Sequence, residues 1–142
     1  MGGLPIQEIP AAYRKAAAEE HRGTIVEAEY PVRNYIDAER RLVTNRRIGA
    51  EEAGRETVRG EAIVKKCNVY LPACYERHPE RRYNVLYLLH GVGGDEYEWL
   101  RGGGEEDGRH VLCNVLDHLF AAGEIEPLIA VFPNGRSAWD HG

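Results

Sequence analysis

The clearest pattern in the chain is a short apolar run, Val85 to Leu89. It stops at His90-Gly91-Val92-Gly93-Gly94 and passes into acidic residues and Trp99. The run is too short for a core helix and predicts a strand over Tyr83–Leu89. Apolar at successive positions, it reads as a strand covered on both faces, the habit of parallel sheets. Ala62 to Leu71 alternates instead, with Ile63, Cys67, Val69 and Leu71 on one side, and predicts a strand closed by Pro72. Thr24 to Ile36 carries Ile25, Val26, Tyr30, Val32 and Tyr35, which predicts one or two strands broken at Pro31. Pro127 to Phe132 is a further short apolar strand. His110 to Ala122 places Val111, Leu112, Val115, Leu116, Leu119 and Phe120 at helical spacing, leaves Asn114, Asp117 and His118 on the polar side, and meets Gly123 as its stop. Pro10 to Glu20 holds good helix formers behind a proline and predicts a helix.

Strand, helix and strand in succession over 83–132 predict a parallel crossover, and hence an α/β fold. The expected organisation is an N-terminal arm and helix over 1–23 and a single domain over 24–142. Within that domain, 37–60 is a mixed-charge stretch that reads as a solvated insertion, and 90–109 is a long glycine-rich, acidic loop.

Composition narrows the function classes. The chain has 142 residues and a net charge of −5, which argues against a general nucleic-acid binder. No apolar run approaches the roughly 18 residues of a membrane span. MGGLPIQEIP has neither a basic n-region nor an apolar h-region, so no signal peptide is expected and the expected compartment is the cytoplasm. Cys67, Cys74 and Cys113 show no CxxC spacing and read as reduced thiols, with Cys67 and Cys113 as small buried hydrophobes. Asp95, Glu96, Glu98, Glu105, Glu106 and Asp107 follow no calcium-loop pattern and read as a solvated acidic loop, so no metal is expected.

The ordered series NVYLPACY, LYLLHGVGGDEYEWL and NVLDHLFAAGEIEPLIAVFPN resembles α/β-hydrolase-fold esterases over residues 62–136. The nearest likeness is to feruloyl (cinnamoyl) esterases and the related esterase D group. The resemblance implies a partial α/β-hydrolase fold, no cofactor, and as partner a small-molecule carboxylic ester or a hydroxycinnamoyl ester on plant cell-wall saccharides. It implies backbone N–H groups of Val92 and Gly93 as oxyanion donors, with His90, Gly91 and Gly94 shaping the loop. Trp99 falls where the family places an aromatic near the cleft, and an equal reading is that it pins the loop to the sheet. His90 is not the expected base, because the base of this fold comes near the C-terminal end.

Acyl transfer on this fold also needs a serine on a GxSxG elbow, a histidine and a carboxylate. The chain has no GxSxG. Its only serine, Ser137, sits in Gly135-Arg136-Ser137-Ala138-Trp139, in a loop where the family has no nucleophile. Asp140 and His141 are mere sequence neighbours of it, and Cys113 is a helix-core position. None of the triad is therefore expected here, and the chain reads as the N-terminal portion of an esterase, ending before the elbow and inactive alone. The alternative is a non-catalytic module that binds carbohydrate or an aromatic acid. By resemblance, strand 127–132 lies beside 83–89, whose other edge is then free for self-association or for a complementing segment.

Overall fold

The structure, a computed structural model, describes residues 8–33, 62–101 and 110–135. Among the described residues four strands form one mixed sheet: β1 (Thr24–Arg33), β2 (Ala62–Leu71), β3 (Asn84–Tyr87) and β4 (Leu128–Pro133), in the order β1-β2-β4-β3. One helix, α1 (Val111–Ala121), lies between β3 and β4 in the chain. β1 and β2 pair antiparallel from Thr24↔Leu71 to Arg33↔Ala62, and β2 pairs antiparallel with β4. β3 and β4 pair parallel from Asn84↔Leu128 to Tyr87↔Val131, as the strand–helix–strand order predicts.

β1 runs through Pro31 without a break. It is an edge strand, where a missing N–H need not cost a ladder bond. β3 departs further from expectation. It is shorter than the apolar run and lies at the opposite edge, with all four residues exposed. Two-sided cover, expected from its composition, is absent among the described residues.

The core lies on one face of the sheet. Tyr70, Ala130 and Phe132 pack there against Cys113 and Leu116 of α1 and Leu100 of the loop after β3, with Ile25, Leu88, Leu112, Phe120 and Leu128 around them. The register puts Val26, Cys67, Val69, Ile129, Val131, Val85 and Tyr87 on the other face, and none of these is buried. Cys67 is thus half-buried rather than a core residue, whereas Cys113 is buried as expected; Cys74 is half-buried, and all three are free thiols.

Two sequence expectations change at the N-terminus and on α1. The predicted helix over Pro10–Glu20 is two short 3₁₀ turns, Ala11–Arg14 and Glu19–His21. The carbonyls of Arg14, Lys15 and Ala17 are engaged by Asn114 Nδ2 (2.7 Å), His118 Nε2 (3.0 Å) and Arg22 Nε (2.7 Å). Side chains thus take the acceptors that a continuous helix would use for itself. Asn114 is buried by its contact with this segment and Asp117 by its bonds to Gly23 and Tyr70, so both are core residues instead of solvent-facing ones. Gly123, at φ +67°, ends α1 in the left-handed conformation that glycine adopts at little cost. Among the described residues no helix is long and apolar enough to cross a membrane. The charged stretch 37–60 lies outside the described residues.

Candidate functional site: the loop after β3

β3 and β4 run parallel, and the loops leaving their C-terminal ends meet, which is where open α/β sheets form ligand crevices. From β3 the chain passes through His90 into a tight turn in which Gly94 N–H donates to Gly91 O at 3.1 Å. Gly93 has φ +77°, so this turn requires a residue without Cβ strain. A Cβ on Gly94 would lie 2.8 Å from His90 Cβ and 3.0 Å from its Nδ1, so the glycine makes room for the imidazole. Val92 stands at the tip, fully exposed, and its N–H has no partner among the described residues.

His90 spans the two loops. Its Nε2 accepts from Gly135 N–H at 2.9 Å, and its Nδ1 lies 2.7 Å from Gly91 O. Trp99 donates its indole N–H to Leu89 O at 3.0 Å while 45% of the residue stays exposed. It therefore ties the loop to the end of β3 and still offers ring surface beside the turn. Leu100 follows it into the core.

The rest of the loop is anchored by polar contacts that periodicity does not reveal. Asn68, on the core face of β2, donates to Glu96 O at 3.0 Å, and Asn134 donates to Glu96 Oε2 at 2.8 Å. Tyr97 donates to Glu27 Oε2 at 2.7 Å, and Lys66 bonds Glu27 Oε1 at 2.9 Å. The Lys66 ammonium first, then the Tyr97 hydroxyl, hold the Glu27 carboxyl below its usual range. Asp95 accepts from Tyr97 N–H and pairs with Arg101, which also reaches Glu98 at 3.3 Å. Asp95, Glu96 and Glu98 are thus spent on folding the loop, and no group of metal-ligating side chains is found among the described residues.

Of the residues singled out from the sequence, His90, Gly91, Val92, Gly93 and Gly94 form the turn itself, and Trp99, in the 3₁₀ turn Glu98–Leu100, is tied to the residue that precedes it, Leu89. The sequence does not foresee Gly135, Asn68 or Asn134, whose partners His90 and Glu96 lie tens of residues away along the chain. Ser137, Asp140, His141, Glu105, Glu106 and Asp107 lie outside the described residues. A separate pocket of about 170 Å³, lined in part by His21, Cys74, Arg77 and Asp117, shares no residue with this loop.

No protein-family model matches the chain. It is 41% identical over 85 residues to endo-1,4-beta-xylanase Y of Acetivibrio thermocellus, covering 58% of this chain and 7% of that protein. It is 37% identical over 75 residues to an endo-1,4-beta-xylanase/feruloyl esterase of Xylanibacter ruminicola, covering 51% of this chain and 9% of that protein. Among solved structures, a serine-to-alanine mutant of the feruloyl esterase module of Clostridium thermocellum, complexed with sinapinate, superposes with a TM-score of 0.58 at 27% identity. That match covers 94% of this chain and 34% of the module. A ferulic acid esterase from Anaeromyces mucronatus in complex with ferulic acid has the same fold in part, with a TM-score of 0.56 at 22% identity, covering 96% of this chain and 38% of the esterase. The chain is feruloyl-esterase-like. Its mixed sheet with few helices is a partial α/β-hydrolase fold. This feruloyl-esterase-like chain spans about a third of the length of the solved esterase module it matches.

Proposed function

We propose that the chain is the N-terminal, oxyanion-loop part of a serine carboxylic-ester hydrolase of feruloyl-esterase type. The reaction class is hydrolysis of hydroxycinnamoyl esters, of the kind borne by plant cell-wall saccharides. The observation that carries the reading is the Val92 N–H, unpartnered among the described residues, at the tip of the glycine turn after β3. In acyl transfer, negative charge develops on the former carbonyl oxygen. A preorganised N–H that spends nothing on internal bonds stabilises that charge most, and Val92, with Gly93 beside it, fits the task. The sinapinate and ferulic acid complexes of the two structural neighbours support an aromatic acid as the acyl group.

The nucleophile, the base and its carboxylate are not among the motifs of these 142 residues. The chain alone therefore should not turn over ester. Labelling with a fluorophosphonate, followed by intact mass, is expected to give no adduct. An adduct on Ser137 overturns the assignment, because it places a working serine within this segment.

A second reading rests on Trp99, whose ring is partly exposed beside the turn. In it, the segment binds an aromatic acid without catalysis. Titration with ferulate should then give a saturable fluorescence change that disappears in Trp99→Ala; an unchanged signal removes this reading. We also propose that the free edge of β3 is where the chain self-associates or receives a complementing segment.

A further inference from the structure

The pocket that shares no residue with the loop lies at the other end of the sheet. Pro72 follows the C-terminal end of β2 and Pro127 precedes β4. The glycine turn instead leaves the C-terminal end of β3, which runs parallel to β4. The pocket volume is about 170 Å³. An apolar cavity of about 150 Å³ takes a benzene ring. Pro72, Phe120 and Pro127 supply apolar walls for a ring of that size.

The polar groups of the pocket sit at two depths. Asp117 is only 3% exposed and forms its inner end. Tyr70 O–H and Gly23 N–H both donate to Asp117 Oδ1, and Oδ2 has no partner among the described residues. A buried carboxylate oxygen in that position favours a ligand that brings a donor. Arg77 and His21 are exposed and stand at the mouth. Neither side chain has a hydrogen bond or an ion pair among the described residues. A guanidinium fork beside an imidazole favours a carboxylate. A water at Oδ2 would satisfy that oxygen alone, leaving the apolar walls wet and both basic side chains unused.

We infer that this pocket binds a small hydroxyaromatic acid: its ring lies between Pro72, Phe120 and Pro127, its hydroxyl donates to Asp117 Oδ2, and its carboxylate is met by Arg77 and His21. Neither Val92 nor Trp99 takes part, so the site is independent of the proposed ester chemistry. Cys74 is half-buried on the wall of the same pocket, its Sγ 3.7 Å from Tyr83 Oη, and its thiol reports whether the pocket is filled.

The test is a titration of the isotope-labelled 142-residue chain with 4-hydroxybenzoate, followed by amide chemical shifts. The amides of Ala73, Cys74 and Ala121 should move saturably, and those of Val92 and Gly93 should stay. Phenol and benzoate, each lacking one polar end, should bind about tenfold more weakly or worse, as the loss of a charge-assisted bond implies. Arg77→Gln should weaken 4-hydroxybenzoate by a similar factor and leave phenol unchanged. In the wild type, 4-hydroxybenzoate should also slow alkylation of Cys74 by iodoacetamide and leave that of Cys67 unchanged. The proposal is overturned by no saturable shift at Ala73, Cys74 and Ala121, by equal binding of the three compounds, or by a Cys74 rate that saturating ligand leaves unchanged. Loss of binding in Trp99→Ala also overturns it, because the ligand then sits at the loop. If Arg77→Gln does not fold, the Cys74 rate and the three-compound series decide. A ferulate response at Trp99 bears on the proposed function only, and protection of Cys74 bears on this inference only.

Discussion

Tyr70 has no exposed surface, and its hydroxyl donates to Asp117 Oδ1 at 2.5 Å. Gly23 N–H donates to the same oxygen at 2.9 Å. Gly23 itself lies against the Tyr70 ring, with no room for a Cβ. The triple contact joins β2, α1 and the start of β1 through one carboxylate. Burial first, then the bond to Asp117, pushes the Tyr70 hydroxyl far above its usual range. The stability that follows is present below the unfolded tyrosine value of about 10 and is lost as pH rises above it. Burial also raises the Asp117 carboxyl, against the lowering bonds from Tyr70 and Gly23. Its contribution is full below the unfolded carboxyl value of about 4 and is lost as pH rises through the raised one. Tyr70→Phe should cost about 2 kcal/mol at neutral pH, because a buried charged acceptor loses a donor. The deficit should shrink in acid, where Asp117 is protonated, and the alkaline loss of stability should become shallower. Urea unfolding across the pH range reads all three, and a pH-independent deficit would remove the charged bond from the account.

At the scale of elements, α1 shows how a helix is held on two sides. Leu116 and Cys113 face the sheet, as their spacing predicts. Asn114 and His118 hold the N-terminal segment by its carbonyls, and Tyr13 stacks on His118 with ring centroids 4.9 Å apart. Asn114→Ala should cost about 1 kcal/mol and loosen residues 11–21 before the sheet. Amide exchange should quicken in that segment while β2 and β4 keep their protection. Uniform quickening would show that the segment folds with the core rather than onto it.

At the scale of the whole molecule, the described residues cover the sheet on one face and leave it open at the β3 edge. Val85, Leu86, Tyr87 and Leu89 are all exposed there, with Tyr87 at 62%. A strand edge of this composition offers unpaired N–H and C=O groups beside apolar side chains, a template for another strand. The isolated chain is expected to associate with itself as its concentration rises. Tyr87→Lys should raise the dissociation constant by about tenfold or more, as a charge blunts such an edge. Light scattering behind size exclusion measures both, and a monodisperse monomer with a cooperative melt would sink the idea.

Periodicity by itself determined β2, α1 and β4, and it marked the turn from His90 to Gly94, because alternation, helical spacing and glycine punctuation act over a few neighbours. Val92 and Trp99 were named by the resemblance to feruloyl esterases and not by these local signals. Only the tertiary structure decided that Asn114 and Asp117 are buried, since their partners Arg14, Gly23 and Tyr70 are distant in sequence. It alone decided that residues 10–20 are turns, that β3 is an edge, and that His90 meets Gly135 across 45 positions. A polar side chain reads as solvent-facing until the donor or acceptor that satisfies it is brought near by the fold. An apolar strand likewise reads as covered until the sheet order shows which neighbour it has.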